Sequence, residues 1–203
     1  MDFEGGLIFV EGYNRNGEYG SFAKKVYSGG EQGIRKQFYP NKYCSTVETI
    51  PNEAITEERV AKAIALHAKH NRAILPGVKT LDPKKKWRKT KENCLDLASI
   101  VLPLDIEKPW SAAPSHQGIS LGSTNLHDIV EAELSGLFPS HSNLGYVARW
   151  SSTAKVKTEE DELRIRIYVF LDTPIKEQER IERFAGLDTD DSVFERNCLD
   201  LIQ

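Results

Sequence analysis

Cysteine is scarce and unpatterned in this chain: three residues, Cys44, Cys94 and Cys198, are spread over 203 positions. An odd count with no C-x-x-C pair excludes a disulfide framework and offers zinc no thiolate pair. Histidine does not fill that gap. His67 and His70 lie within one expected helix, with no cysteine or second pair at ligand spacing, and read as ordinary helix-face residues. Long apolar runs are missing too: no stretch approaches the ~18 residues that mark a membrane-spanning helix. The start, Met1-Asp2-Phe3-Glu4, is acidic where a secretory signal is basic. These absences predict a soluble, cytoplasmic protein of a reducing compartment, with no membrane partner. A dominant charge sign is also absent. With 27 Lys and Arg against 30 Asp and Glu, net −3, the surface as a whole cannot attract nucleic acid, so any such contact needs a local basic patch. No internal repeat, low-complexity tract or long linker divides the chain, which predicts one compact unit.

What is present begins with an apolar run that ends in two alternating carboxylates, Ile100-Val101-Leu102-Pro103-Leu104-Asp105-Ile106-Glu107. In a strand Asp105 and Glu107 share a face, roughly 6.5–7 Å apart along the backbone. Two carboxylates so placed repel unless a cation sits between them, and Mg²⁺ or Mn²⁺ takes such oxygen ligands. Polar residues at the exit of a buried strand would give the same pattern. From Leu163 to Asp172 the residues alternate strictly. Leu163, Ile165, Ile167, Val169 and Leu171 take one face, and Arg164, Arg166, Tyr168, Phe170 and Asp172 take the other. If the two strands share a sheet, paired carboxylates and paired guanidiniums make a platform for a metal and a triphosphate. The one basic patch is Lys84-Lys85-Lys86-Trp87-Arg88-Lys89, read as a loop whose cations hold phosphates and whose Trp87 stacks on a base.

Between these segments the pattern predicts a strand at Leu7-Ile8-Phe9-Val10 and a helix from Glu57 to about Asn71, preceded by Thr56. A second strand runs from Ile74 to Leu81, broken at Pro76-Gly77. Ser123 or Asn125 can cap a helix with the stripe Leu126, Ile129, Val130, Leu134 and Leu137. A strand from Tyr146 to Trp150 follows, then the arginine strand leaving at Asp172-Thr173-Pro174, then a helix from Lys176 to about Ala185 stopped by Gly186. This mixed order predicts an α+β fold with a mixed or antiparallel sheet rather than a doubly wound one.

Three segments together resemble the archaeo-eukaryotic primase superfamily, in its primase-polymerase branch from replication proteins of mobile elements, plasmids and phages. They are Leu104-Asp105-Ile106-Glu107, then Arg164-Ile165-Arg166 running into Ile167-Tyr168-Val169-Phe170-Leu171-Asp172-Thr173-Pro174, and Asp190-Asp191-Ser192-Val193-Phe194-Glu195-Arg196-Asn197. The pair Ser151-Ser152 stands before the second motif, and the likeness covers roughly the last half of the chain. It implies an RRM-like catalytic core flanked by helices within 96–203, with 1–95 as an N-terminal module of the same single domain. It also implies that 1–203 is a fragment of a longer protein, with a helicase domain or partner beyond. The implied activity is that of a DNA primase or DNA-directed polymerase, making or extending primers from NTP or dNTP on single-stranded DNA. Asp105, Glu107 and Asp190 would bind Mg²⁺ or Mn²⁺, and Arg164 and Arg166, with Ser151 and Ser152, would hold the nucleotide. Asp188 and Asp191 compete with Asp190 for the third acidic role. Arg166 replaces the family's usual histidine, which keeps a phosphate role and removes a general base. Three alternatives stay open: a non-catalytic nucleic-acid-binding initiator domain, a metal-dependent nuclease, and a partner-binding domain without phosphate chemistry.

Overall fold

The computed structural model of the protein describes residues 5–13, 18–20, 25–28, 34–37, 43–76, 78–80, 87–88, 94–109, 126–140, 143–151, 162–189, 194 and 200–201. In chain order its elements are β1 (Gly6–Tyr13), β2 (Tyr19–Gly20), β3 (Lys25–Ser28), β4 (Ile34–Gln37), β5 (Tyr43–Pro51), α1 (Glu57–Ala68), β6 (Ala73–Pro76), β7 (Val78–Thr80), β8 (Trp87–Arg88), β9 (Cys94–Asp96), β10 (Ser99–Pro109), α2 (Leu126–Leu137), β11 (Tyr146–Trp150), β12 (Glu162–Ile175), α3 (Glu177–Phe184) and β13 (Asp200–Leu201). The fold is α+β, and every pairing between these strands is antiparallel. The larger sheet runs β13-β6-β1-β5-β8 with β2 on β1, and a second sheet runs β10-β12-β11. Two short ribbons, β3-β4 and β7-β9, complete the pairing among the described residues.

Alternation in β10 and β12 sorts the second sheet into two unlike faces. Leu102, Leu104, Ile106, Ile165, Ile167 and Val169 point to a core closed by Ile129, Val130 and Leu134 of α2 and by Phe194. Burying such aliphatic side chains contributes about 1.5–3 kcal/mol each, and the stripe on α2 exists to supply them. On the opposite face Val101 and Tyr168 join a second core with Leu7, Phe9, Ile50, Ile74 and the α1 residues Val60, Ala63 and Ile64. So the larger sheet and α1 cover only one end of that face, the end that is apolar.

The start of β10 is tied to the larger sheet by the Asn52 side chain. Its Nδ2 donates to the Ala98 carbonyl at 3.0 Å and its Oδ1 accepts from the Ile100 N–H at 3.1 Å. Gly5 bridges to Ala98 alongside, at φ +147°, where a Cβ would stand 2.1 Å from the Ala98 oxygen. Glycine is required there both by conformation and by space. Helix α1 begins as its sequence predicts: the Thr56 hydroxyl accepts from the Arg59 N–H at 3.2 Å, with Glu57 and Glu58 in the first turn. Gly186, at φ +86°, follows α3 just past its last turn.

Two expectations are corrected. Trp87 and Arg88 are not in a loop: their backbone pairs with Cys44 and Tyr43 in β8, the last strand on one side of the larger sheet among the described residues, and sheet edges tolerate charge. Asp172-Thr173-Pro174 does not leave the strand. The ladder passes from Val101↔Phe170 to Ser99↔Ile175, so residues 171–174 bulge, and a proline lacking an N–H is tolerated in a bulge. His67 shares the buried face of α1 with Val60, Ala63 and Ile64, the face its spacing from Val60 and Ile64 predicts. It is buried, stacked on Phe9 with ring centroids 4.2 Å apart, with Nε2 2.7 Å from Glu48 and Nδ1 3.0 Å from the Arg72 guanidinium.

Candidate metal and nucleotide site

The strands carrying the carboxylates and the arginines are neighbours, and their register sets the motifs against each other. Asp105 stands opposite Arg166 and Glu107 opposite Arg164. Arg166 Nη2 reaches Asp105 Oδ2 at 2.5 Å, and Arg164 Nη2 reaches Glu107 Oε1 at 2.5 Å. These four residues continue the face whose other end is covered by the larger sheet, so a face that is apolar at Val101 and Tyr168 becomes charged at Asp105 and Arg166. The two pairs differ in depth. Arg164 is 2% exposed beneath a Glu107 that is 52% exposed, whereas Arg166 and Asp105 are 15% and 14% exposed. Arg164 therefore supports Glu107 from below, and Arg166 is the more accessible guanidinium.

The third strand extends both rows. Arg149 of β11 is opposite Arg166, and the Ser151 N–H donates to the Arg164 carbonyl at 2.9 Å, placing Ser151 opposite Arg164. The face thus reads Asp105, Arg166, Arg149 along one row and Glu107, Arg164, Ser151 along the next, with adjacent strands about 4.8 Å apart. Arg149 was missed in the sequence, although alternation with Val147 across β11 placed it on this side.

The outer edge of β10 is occupied by the segment that follows α3. The Asp105 N–H donates to Thr189 Oγ1 at 2.9 Å, and the same hydroxyl donates back to the Asp105 carbonyl at 2.9 Å. One residue earlier, Asp188 Oδ2 is 3.0 Å from Lys108 Nζ, whose other contact is Glu133 Oε2 of α2 at 2.7 Å. Burial depresses the Lys108 pKa, but the bonds to Glu133 and Asp188 outweigh it and hold the ammonium above its ordinary range. As alternation requires, Lys108 serves the face opposite Asp105 and Glu107, and it engages Asp188 as an ion-pair partner. Nothing in the sequence singled out Thr189, a hydroxyl between two acids.

The donor set at Asp105 and Glu107 is all carboxylate oxygen, the kind of ligand that Mg²⁺ or Mn²⁺ takes, with one oxygen of each carboxylate engaged by a guanidinium. Among the described residues no group of three or more His, Cys, Asp or Glu converges as a metal cluster. Asp190 and Asp191 lie outside the described residues, as do Ser152, Lys84, Lys85, Lys86 and Lys89, and only the backbone of Trp87 and Arg88 is described. No helix among the described residues is long and apolar enough to cross a membrane. Comparison of the chain with protein-family models, with curated proteins and with solved structures finds no match.

Proposed function

We propose that this chain is a template-dependent nucleotidyltransferase of the primase-polymerase kind, joining an NTP or dNTP to a primer or to another nucleotide on single-stranded DNA. The observation that carries this reading is the cross-strand pairing of Asp105 with Arg166 and Glu107 with Arg164 on one sheet face. Each carboxylate is charge-balanced by a guanidinium before cation and polyanion bind. A triphosphate offers Arg166 a stronger acceptor than one carboxylate, and Arg149, one strand further, extends the cationic row along which phosphates can lie. A divalent cation held by Asp105 and Glu107 would neutralise charge at the transferred phosphate. Asp190 is the third acidic residue in this reading. Arg166 orients phosphate and does not take a proton, so activation of the attacking hydroxyl falls to another group.

The nuclease alternative would draw on Lys108, the lysine next to the paired acids. Its ties to Glu133 and Asp188 on the other face disfavour that use. The basic segment 84–89 supplies the template contact, and a helicase domain or partner and a host-cell cytoplasmic location complete the proposal. The test is divalent-dependent incorporation of labelled dNTP and NTP on primed and unprimed single-stranded DNA. Incorporation by the parent and its loss in Asp105→Ala supports the assignment, and equal activity in both proteins rejects it.

A further inference from the structure

β10 is an edge strand, and the backbone groups of Asp105 point away from β12. That outward N–H and C=O would ordinarily pair with another strand or with water. Here a single threonine hydroxyl takes both, at 2.9 Å each, doing for one residue what a neighbouring strand would do. The consequence for the side chain is geometric. In an antiparallel pair whose backbone groups point outward, the side chains of the two opposed residues approach more closely, which is the relation of Asp105 to Arg166. The hydroxyl therefore fixes the peptide planes on both sides of the Asp105 Cα, and with them the direction in which the carboxylate leaves the strand. Thr189 is in turn held from its own side: Asp188 is tied to Lys108, and the Thr189 N–H donates to the Leu187 carbonyl at 2.7 Å.

We propose that Thr189 is a positioning residue for Asp105, holding its backbone so that the carboxylate is preset for a divalent cation. The inference rests on the metal role of Asp105 and adds a residue that acts through it. Thr189→Val keeps the shape and removes both hydrogen bonds, whereas Thr189→Ser keeps the hydroxyl. Mn²⁺ binding to the full chain is measured by electron paramagnetic resonance of the free ion, with thermal unfolding recorded in parallel and Asp105→Asn as the site control. The expected result is a site lost in Asp105→Asn, at least tenfold weaker in Thr189→Val, and within about twofold of the parent in Thr189→Ser. If Thr189→Val lowers the melting temperature but binds Mn²⁺ like the parent, Thr189 is only structural and the inference falls while the metal assignment stands. If the parent has no Mn²⁺ site that Asp105→Asn removes, the metal assignment falls and the inference falls with it.

Discussion

At the scale of single residues, the ion pairs change what substitution at Asp105 should do. Read as two repelling carboxylates, Asp105 and Glu107 suggest that deleting one costs little stability. With Arg166 bound to Asp105 in a mostly buried setting, deletion instead strands a guanidinium. Asp105→Asn should therefore lose incorporation and also about 2 kcal/mol of stability, read as an unchanged urea m-value with a lowered midpoint. The arginines should separate in the same way. Arg166→Ala should raise the KM for triphosphate with a modest effect on folding, and Arg166→Lys should restore charge without the two-point geometry. Arg164→Ala, at a buried position under Glu107, should act chiefly on stability. Steady-state kinetics beside denaturation curves distinguishes the two patterns, and equal KM and stability effects at both positions would contradict the difference in depth.

At the scale of elements, α1 carries a polar seam into an apolar interface. His67 packs on Phe9 and bridges Glu48 of β5 to Arg72, whose other nitrogen is 3.2 Å from Glu11 of β1. Burial lowers the His67 pKa below its ordinary 6.5, the bond to Glu48 opposes that, and Arg72 adds to the lowering. A depressed histidine is neutral in the fold while the unfolded chain still takes up a proton near pH 6.5. The stability it contributes is complete above that pH and is lost as pH falls toward the folded-state value. The melting temperature should decline as the solution is acidified below about pH 6.5, and His67→Gln should flatten that decline. A parent curve as flat as the variant's between pH 5 and 7 would show that the seam does not titrate on its own.

At the scale of the whole molecule, the question is where a net acidic chain would hold a nucleic-acid strand. Among the described residues, Trp87 and Arg88 of the basic segment lie in β8, the last strand on one side of the larger sheet. Neutralising three of its lysines should lower the slope of log K against log salt for single-stranded DNA by about two units, near 0.7 for each phosphate that no longer meets a cation. Trp87→Ala should cost roughly 1–3 kcal/mol of binding if the ring stacks on a base. Fluorescence anisotropy across a salt series measures both, and an unchanged slope would move the template path off this edge.

Local pattern was enough for most elements. Period-two alternation marked β12 because it has one face committed to the α2 core, a continuous apolar run marked β10 because its first half is buried on both faces, and the Thr56 cap with its two glutamates marked α1 because orphan N–H groups need acceptors. The same alternation paired Asp105 with Glu107 and Arg164 with Arg166 on shared faces. What only the tertiary structure decided was which strands meet and in what register. No local preference encodes that Asp105 faces Arg166 across β10 and β12, that Arg149 completes the row from β11, or that Thr189 reaches back 84 residues to the backbone of Asp105. The sites that escaped the sequence share a cause. Thr189 and Arg149 each act through a partner distant in the chain, and an isolated polar residue shows its role only once packing has brought that partner within hydrogen-bond or strand-neighbour distance.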